Sequence, residues 1–167
     1  GASVENNASE APLDAIAAPL KDTYAYNNTP ANFTVRHNGT SWVAQIGPTR
    51  YATLDHALSL AGNDGTVSLM GDATAQPVLA IADGRNVTLD LAGWNLSFAP
   101  DGRFDVQNGT LTIVGRGNVT TAVGPDGTAQ PVASVGANGS LVLKGGSYNQ
   151  DVAPYVADSF AEFVDGD

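Results

Sequence analysis

The chain has 167 residues, enough for one domain with a real core and short for two, and it contains no cysteine, which removes disulfides and thiolate metal sites. Seven basic against seventeen acidic residues give a net charge of −10, which repels nucleic-acid phosphate and anionic lipid head groups, so neither is expected as a partner. No apolar run approaches a membrane span and no basic stretch leads into one, so membrane insertion is not expected.

Residues 1–30 are rich in Ala, Asn and Pro. One short apolar series, Leu13, Ile16, Ala17 and Leu20, fits a helix face but is interrupted by Pro12 and Pro19, so the segment reads as a flexible arm or linker. The pattern then turns β-like, with Phe33 and Val35, a His37-Asn38-Gly39-Thr40 turn, and Trp42, Val43, Ala44 and Ile46. That predicts a hairpin. Between Tyr51 and Ala61 the apolar residues Tyr51, Leu54, Ala57, Leu58 and Ala61 recur at three and four, predicting an amphipathic helix stopped by Gly62 and an Asn63-Asp64-Gly65 turn.

Beyond residue 65 the chain repeats. Val67-Ser68-Leu69-Met70-Gly71, Leu89-Asp90-Leu91-Ala92-Gly93 and Leu111-Thr112-Ile113-Val114-Gly115 follow one another at 22 residues, and Leu141-Val142-Leu143-Lys144-Gly145 comes 30 residues later. The extra eight residues match the turn-rich segment from Gly124 to Pro131, which should protrude as a loop. Each copy follows a second short apolar strand, at Val78 to Ile81, Phe104 to Val106 and Val132 to Val135. A helix-free period near 22 suits one coil of a parallel β-helix, in which each strand pairs with its counterpart one period later, and crossover handedness favours the right-handed form. A β-sandwich gives no reason for identical strands at fixed spacing, and the Leu-x-x-Leu-x-Leu pattern of leucine-rich repeats is missing.

The fold class expected is therefore all-β: a short right-handed, single-stranded parallel β-helix of about four coils, with an N-terminal capping helix and hairpin. Its parts are an arm at 1–30, hairpin plus helix at 31–65, coils at 66–150 and a C-terminal cap at 151–167, all in one domain. The helix would cover the first coil, and Val152, Tyr155, Val156, Phe160 and Phe163 the last. Asn-x-Ser/Thr triplets, among them those at Asn7, Asn32, Asn38, Asn86, Asn95, Asn108, Asn118 and Asn138, match the glycan-acceptor pattern, but most read better as turn residues or strand starts, with Asn chosen for its tolerance of left-handed backbone.

With Leu89 and Leu91 pointing inward, the 22-residue spacing predicts three outward columns: Ser68/Asp90/Thr112/Val142, Met70/Ala92/Val114/Lys144 and Asp72/Trp94/Arg116/Gly146. The middle column is largely apolar and should be covered by the Phe33–Ile46 hairpin, the N-terminal arm or a dimer partner. The last sets Trp94 between an acid and a base. That makes Trp94, Asp72 and Arg116 the candidate ligand-binding residues, with the indole as a platform for a sugar ring; the competing reading has Arg116 stacked on Trp94 within the protein, or Trp94 turned into the core.

Several segments resemble a known family. Gln45-Ile46-Gly47, Tyr51-Ala52-Thr53-Leu54-Asp55-His56-Ala57-Leu58, Gly65-Thr66-Val67-Ser68-Leu69, Val87-Thr88-Leu89-Asp90-Leu91-Ala92-Gly93, and Gly145-Gly146-Ser147-Tyr148-Asn149-Gln150-Asp151-Val152 with Tyr155-Val156-Ala157-Asp158 are similar to β-helix modules, described as pectin-lyase-like or adhesin-like, of secreted surface proteins from gut-type bacteria. The resemblance spans roughly residues 42 to 160. It implies a secreted or cell-surface bacterial protein and brings over no catalytic residue.

Parallel β-helices also host polysaccharide lyases and glycoside hydrolases, which need clustered carboxylates. Asp72, Asp83, Asp90, Asp101, Asp105 and Asp126 mostly fall at different offsets from the repeat glycine, and His37 and His56 precede the repeats. The expectation is accordingly a non-catalytic module for adhesion, display or spacing, contacting glycans or host-cell proteins, with no cofactor and no metal; a polysaccharide-active enzyme is the alternative.

Overall fold

The computed structural model describes strand residues Glu5–Asn6, Tyr24–Thr29 and Asn32–His37, and then residues 42–161. The chain divides into two compact units, Gly1–Ser41 and Trp42–Asp167. In the first unit β1 (Glu5–Asn6) pairs parallel with β2 (Tyr24–Thr29), which pairs antiparallel with β3 (Asn32–His37). Parts of the segment expected to be a flexible arm are thus strand. The helix face from Leu13 to Leu20 lies outside the described residues.

The second unit opens with β4 (Ala44–Ile46) and β5 (Thr49–Tyr51), an antiparallel hairpin around Gly47 and Pro48. The Phe33–Ile46 hairpin is therefore not formed: β3 pairs with β2, and Ala44 to Ile46 with β5. Both observed hairpins close over two residues, whereas six separate His37 from Ala44, and the shorter closure with turn chemistry wins. Helix α1 (Leu54–Leu60) is shorter than its periodicity suggested, because Tyr51 stays in β5 and Thr53, with extended backbone, caps the helix by accepting the His56 N–H. It buries Leu54, Ala57 and Leu58 against β4 to β8.

From Gly65 onward the strands are β6 (Gly65–Leu69), β7 (Ala73–Gln76), β8 (Leu79–Ile81), β9 (Arg85–Asp90), β10 (Leu96–Phe98), β11 (Phe104–Val114), β12 (Asn118–Thr120), β13 (Ala133–Leu143) and β14 (Ser147–Tyr148). They form three parallel ladders that the chain visits in rotation. One joins β6, β9 and the second halves of β11 and β13; another joins β7, β10, β12 and β14; the last joins β8 and the first halves of β11 and β13. The described part of this unit is mostly β, with largely parallel sheets and the single helix α1.

The ladder register corrects the repeat. β6 and β9 pair at the expected 22 residues, Val67 beside Leu89, but β9 and β11 pair at 24, Leu89 beside Ile113 and Val87 beside Leu111. Two residues of surplus enter the second winding, one of them at the corner from Leu91 to Asn95, where Ala92 and Gly93 take left-handed backbone. Because 24 is even, inward residues stay inward. Val67, Leu89, Ile113 and Leu143 form one buried column, and Val87, Leu111 and Leu141 another. Phe98 and Phe104 meet edge to face across the interior at 5.0 Å.

The outward columns change identity. Thr66, Thr88, Thr112 and Val142 now align, and Ser68 and Asp90 continue into Val114. Met70, Ala92 and Lys144 lie just beyond strand ends, so the apolar stripe expected on a sheet face does not exist. Met70 and Val114 are half-buried, and Ala92 and Lys144 exposed. Windings also approach too closely for a side chain at some corners: a Cβ on Gly109, whose φ is 113°, would collide with the Arg85 backbone.

At the C-terminal end Val152 is buried, Tyr155 and Val156 pack on the core, and Val156 bridges to Leu143. Phe160, assigned to the same cover, is 50% exposed, and Phe163 lies outside the described residues. Partial burial raises the Tyr148 phenol above its ordinary value, and its hydroxyl donates to the Gly145 carbonyl at 2.9 Å.

Arg85 holds α1 to the windings. Its Nη1 donates to the carbonyls of Ala61 (2.7 Å), Leu58 (3.0 Å) and Ser59 (3.4 Å), supplying partners to carbonyls that a helix end leaves orphaned. A cation at this terminus also complements the helix dipole. Arg85→Met should lower unfolding free energy by about 1.5–3 kcal/mol, the range for charged hydrogen bonds. Urea denaturation monitored by circular dichroism measures this directly. Arg116→Met, with no helix to hold, should shift it by less than about 0.5 kcal/mol.

Candidate functional site

The corners where polar side chains gather belong to the stack itself. Asp72 Oδ1 accepts the Asn95 N–H at 2.9 Å, and Asn95 Oδ1 accepts from the Asn118 N–H at 3.3 Å and its Nδ2 at 2.8 Å. These three residues stand in one register, Ala73, Leu96 and Val119 following them in paired strands. A polar ladder thereby climbs the corner before the second sheet. A second network surrounds Thr121, which is only 5% exposed. Asn149 bonds its backbone on both sides, and Gln150 Nε2 reaches its hydroxyl at 2.9 Å and the Gln130 carbonyl at 2.8 Å. A third joins Asn63, Asp64 and Asn86.

The three candidate ligand residues do not share a column. Asp72 aligns with Asn95, one place beyond Trp94, and Arg116 lies opposite Gly93, whose N–H donates to the Arg116 carbonyl at 2.7 Å. All three are exposed, Trp94 at 42%. No cation–π pair joins Trp94 to Arg116 among the described residues, and the indole is not turned into the core. Asp72 has one carboxylate oxygen committed to the ladder, so of the trio only Trp94 retains the platform geometry.

The aspartates considered for catalysis build turns. Asp90 and Asp126 accept the backbone N–H two residues ahead, from Ala92 at 2.9 Å and Thr128 at 3.0 Å. Asp83 and Asp101 occupy left-handed positions, Asp105 accepts from Gln107 Nε2, and Asp72 caps the winding above. The Asp126 carboxyl is held below its usual range by the Thr128 N–H first and the Thr128 hydroxyl second. Among the described residues no three His, Cys, Asp or Glu side chains converge.

Among the described residues, asparagines of these triplets serve a different purpose from the one expected. Among the described residues the left-handed non-glycine positions belong to Asp64, Ala75, Asp83, Ala92 and Asp101, with no asparagine. The Asn95 and Asn118 amides instead bond from one winding to the next, and Asn86 Nδ2 reaches Asp64 Oδ1 at 3.5 Å.

One concavity was not anticipated. A groove of about 370 Å³ is lined by Asp101, Gly102, Arg103, Gln130, Pro131, Ala133 and Ser134. It lies where the Gly124–Pro131 insertion returns to the stack beside the turn that ends β10. The insertion and the Asp101-Gly102 turn were both visible in sequence; their adjacency depends on the 30-residue winding. The insertion itself is exposed from Pro125 to Thr128 and is pinched by a bridge between Val123 and Ala129.

No family model, curated protein or solved structure matches the chain.

The ladder makes a direct prediction. Asn95→Ala removes the acceptor for two Asn118 donors and should cost about 1–2 kcal/mol in equilibrium denaturation, whereas Asn95→Asp, which keeps an acceptor, should lose less than half of that. Equal losses would show that Asn95 Oδ1 bonds contribute nothing specific.

Proposed function

We propose that residues 65–156 form a right-handed parallel β-helix of the pectin-lyase-like kind, and that the chain is a non-catalytic secreted or cell-surface module of a bacterium, serving adhesion, display or spacing and contacting glycans. The observation that supports this reading is the use of acidic side chains in the scaffold: Asp72, Asp90 and Asp126 each accept a backbone N–H at a turn or corner. A glycosidase needs two carboxylates free to face a scissile bond. Here the carboxylates of Asp72, Asp90 and Asp126 are engaged by backbone N–H groups instead.

The fold suits presentation. Parallel ladders hold the strands together, and the insertion from Gly124 to Pro131 lies beside them, exposed from Pro125 to Thr128, the arrangement in which repeat proteins place binding loops. Trp94 adds an exposed aromatic surface of the type on which sugar rings stack.

A glycan array run beside a screen for release of reducing or unsaturated sugar from plant and host polysaccharides tests this. Binding without turnover is expected, with Trp94→Ala weakening it. Turnover of any polysaccharide would contradict the non-catalytic reading.

A further inference from the structure

We propose that the groove between the Asp101–Arg103 turn and the returning insertion is a saccharide-binding site that takes a neutral, hydroxyl-rich sugar unit. This rests on the glycan-contacting reading above and gives it a location.

Both walls of the groove are rigid before any ligand arrives. On one side the Gly102 N–H donates to the Ala99 carbonyl at 2.9 Å, and a Cβ on Gly102 would run into the Gln76 carbonyl, so the turn lies directly on the winding below. On the other side the Gln130 carbonyl accepts from the Thr121 hydroxyl at 2.6 Å and Gln150 Nε2 at 2.8 Å, and its N–H donates to the Ala122 carbonyl at 2.8 Å. The Gln130 side chain then spans the walls, its Oε1 accepting the Asp101 N–H at 2.8 Å. A site whose walls are fixed in the free protein loses little entropy on binding.

The chemistry of the lining selects the ligand class. Arg103 spends Nη1 on the Asp101 carbonyl at 3.2 Å, and its other donors have no partner among the described residues. The Ser134 hydroxyl likewise has none. Asp101 supplies carboxylate acceptors, its Oδ1 only distantly approached by Gln130 Nε2 at 3.5 Å. Donor, acceptor and hydroxyl therefore line the groove together with the exposed Pro131 ring. A guanidinium and a carboxylate together cancel in charge, and Asp105 pairs in register with Ser134, adding a further negative group beside the groove. That balance disfavours an acidic sugar and matches sugar hydroxyls, which both donate and accept, over a C–H face that rests on apolar atoms.

Affinity electrophoresis through gels containing xyloglucan, galactomannan or dextran, with polygalacturonate as the acidic comparison, tests the assignment. Wild type should be retarded by at least one neutral polymer and not by polygalacturonate. Arg103→Met and Ser134→Ala, checked for unchanged melting temperature, should each weaken that retardation roughly tenfold, equivalent to about 1.4 kcal/mol, while Arg50→Gln on the distant hairpin should not. Full retardation of the Arg103→Met/Ser134→Ala double variant, with loss in Trp94→Ala, would overturn the groove assignment and leave the glycan-contacting module standing. Preference for polygalacturonate would overturn the neutral class. No retardation of wild type by any polymer would remove the glycan reading and the groove with it.

Discussion

Successive strands of the three parallel ladders stand about 4.8 Å apart, and each is satisfied by its neighbours in the ladder. That stacking constraint governs everything else in the second unit. Inside, it demands apolar residues that lie one above another, as Val67, Leu89, Ile113 and Leu143 do. At corners, where no regular ladder exists, backbone donors still need partners, and the side chains of Asp72 and Asn95 provide them. Where the backbone passes closest, as at Gly109 over Arg85, no side chain fits at all.

The same constraint makes the ends the vulnerable places. At the N-terminal end the hairpin β4–β5 adds antiparallel strands to the first ladder, and α1 closes the interior with Leu54, Ala57 and Leu58. Arg85 links that cover to the second winding through three helix carbonyls. At the opposite end, among the described residues, Val152 is buried, Tyr155 and Val156 pack on the core, and a bridge joins Leu143 to Val156. A helix that caps a stack must itself be capped, and one arginine from the stack does so.

Much of this was legible in the sequence, for identifiable reasons. Alternation of apolar residues marked the inward faces correctly because a surplus of two residues preserves parity. The same surplus hid the true neighbours: Gly93 and Gly115 look equivalent at 22 residues, yet Leu111 stacks on Val87, so the Asp72, Trp94 and Arg116 column dissolved. The Asn38-Gly39 pair suggests a hairpin from Phe33 to Ile46, whereas the strand from Ala44 to Ile46 pairs across the two-residue loop at Gly47 and Pro48. The asparagines were recognised as corner residues but credited with the wrong property; their amides reach across windings, which only register reveals. The groove was invisible for the same reason, since Asp101 and Gln130 are brought together by a long winding rather than by any motif.

The 24-residue register between β9 and β11 underlies the ladders, columns and groove alike. The chain has no cysteine, so introduced pairs report that register without interference. Thr88→Cys with Thr112→Cys, neighbours on the outward face, should oxidise to a disulfide in the folded protein, and Asp90→Cys with Thr112→Cys should remain reduced. Efficient bonding of the second pair in place of the first would return the chain to a uniform 22-residue repeat and contradict the ladders, columns and groove together.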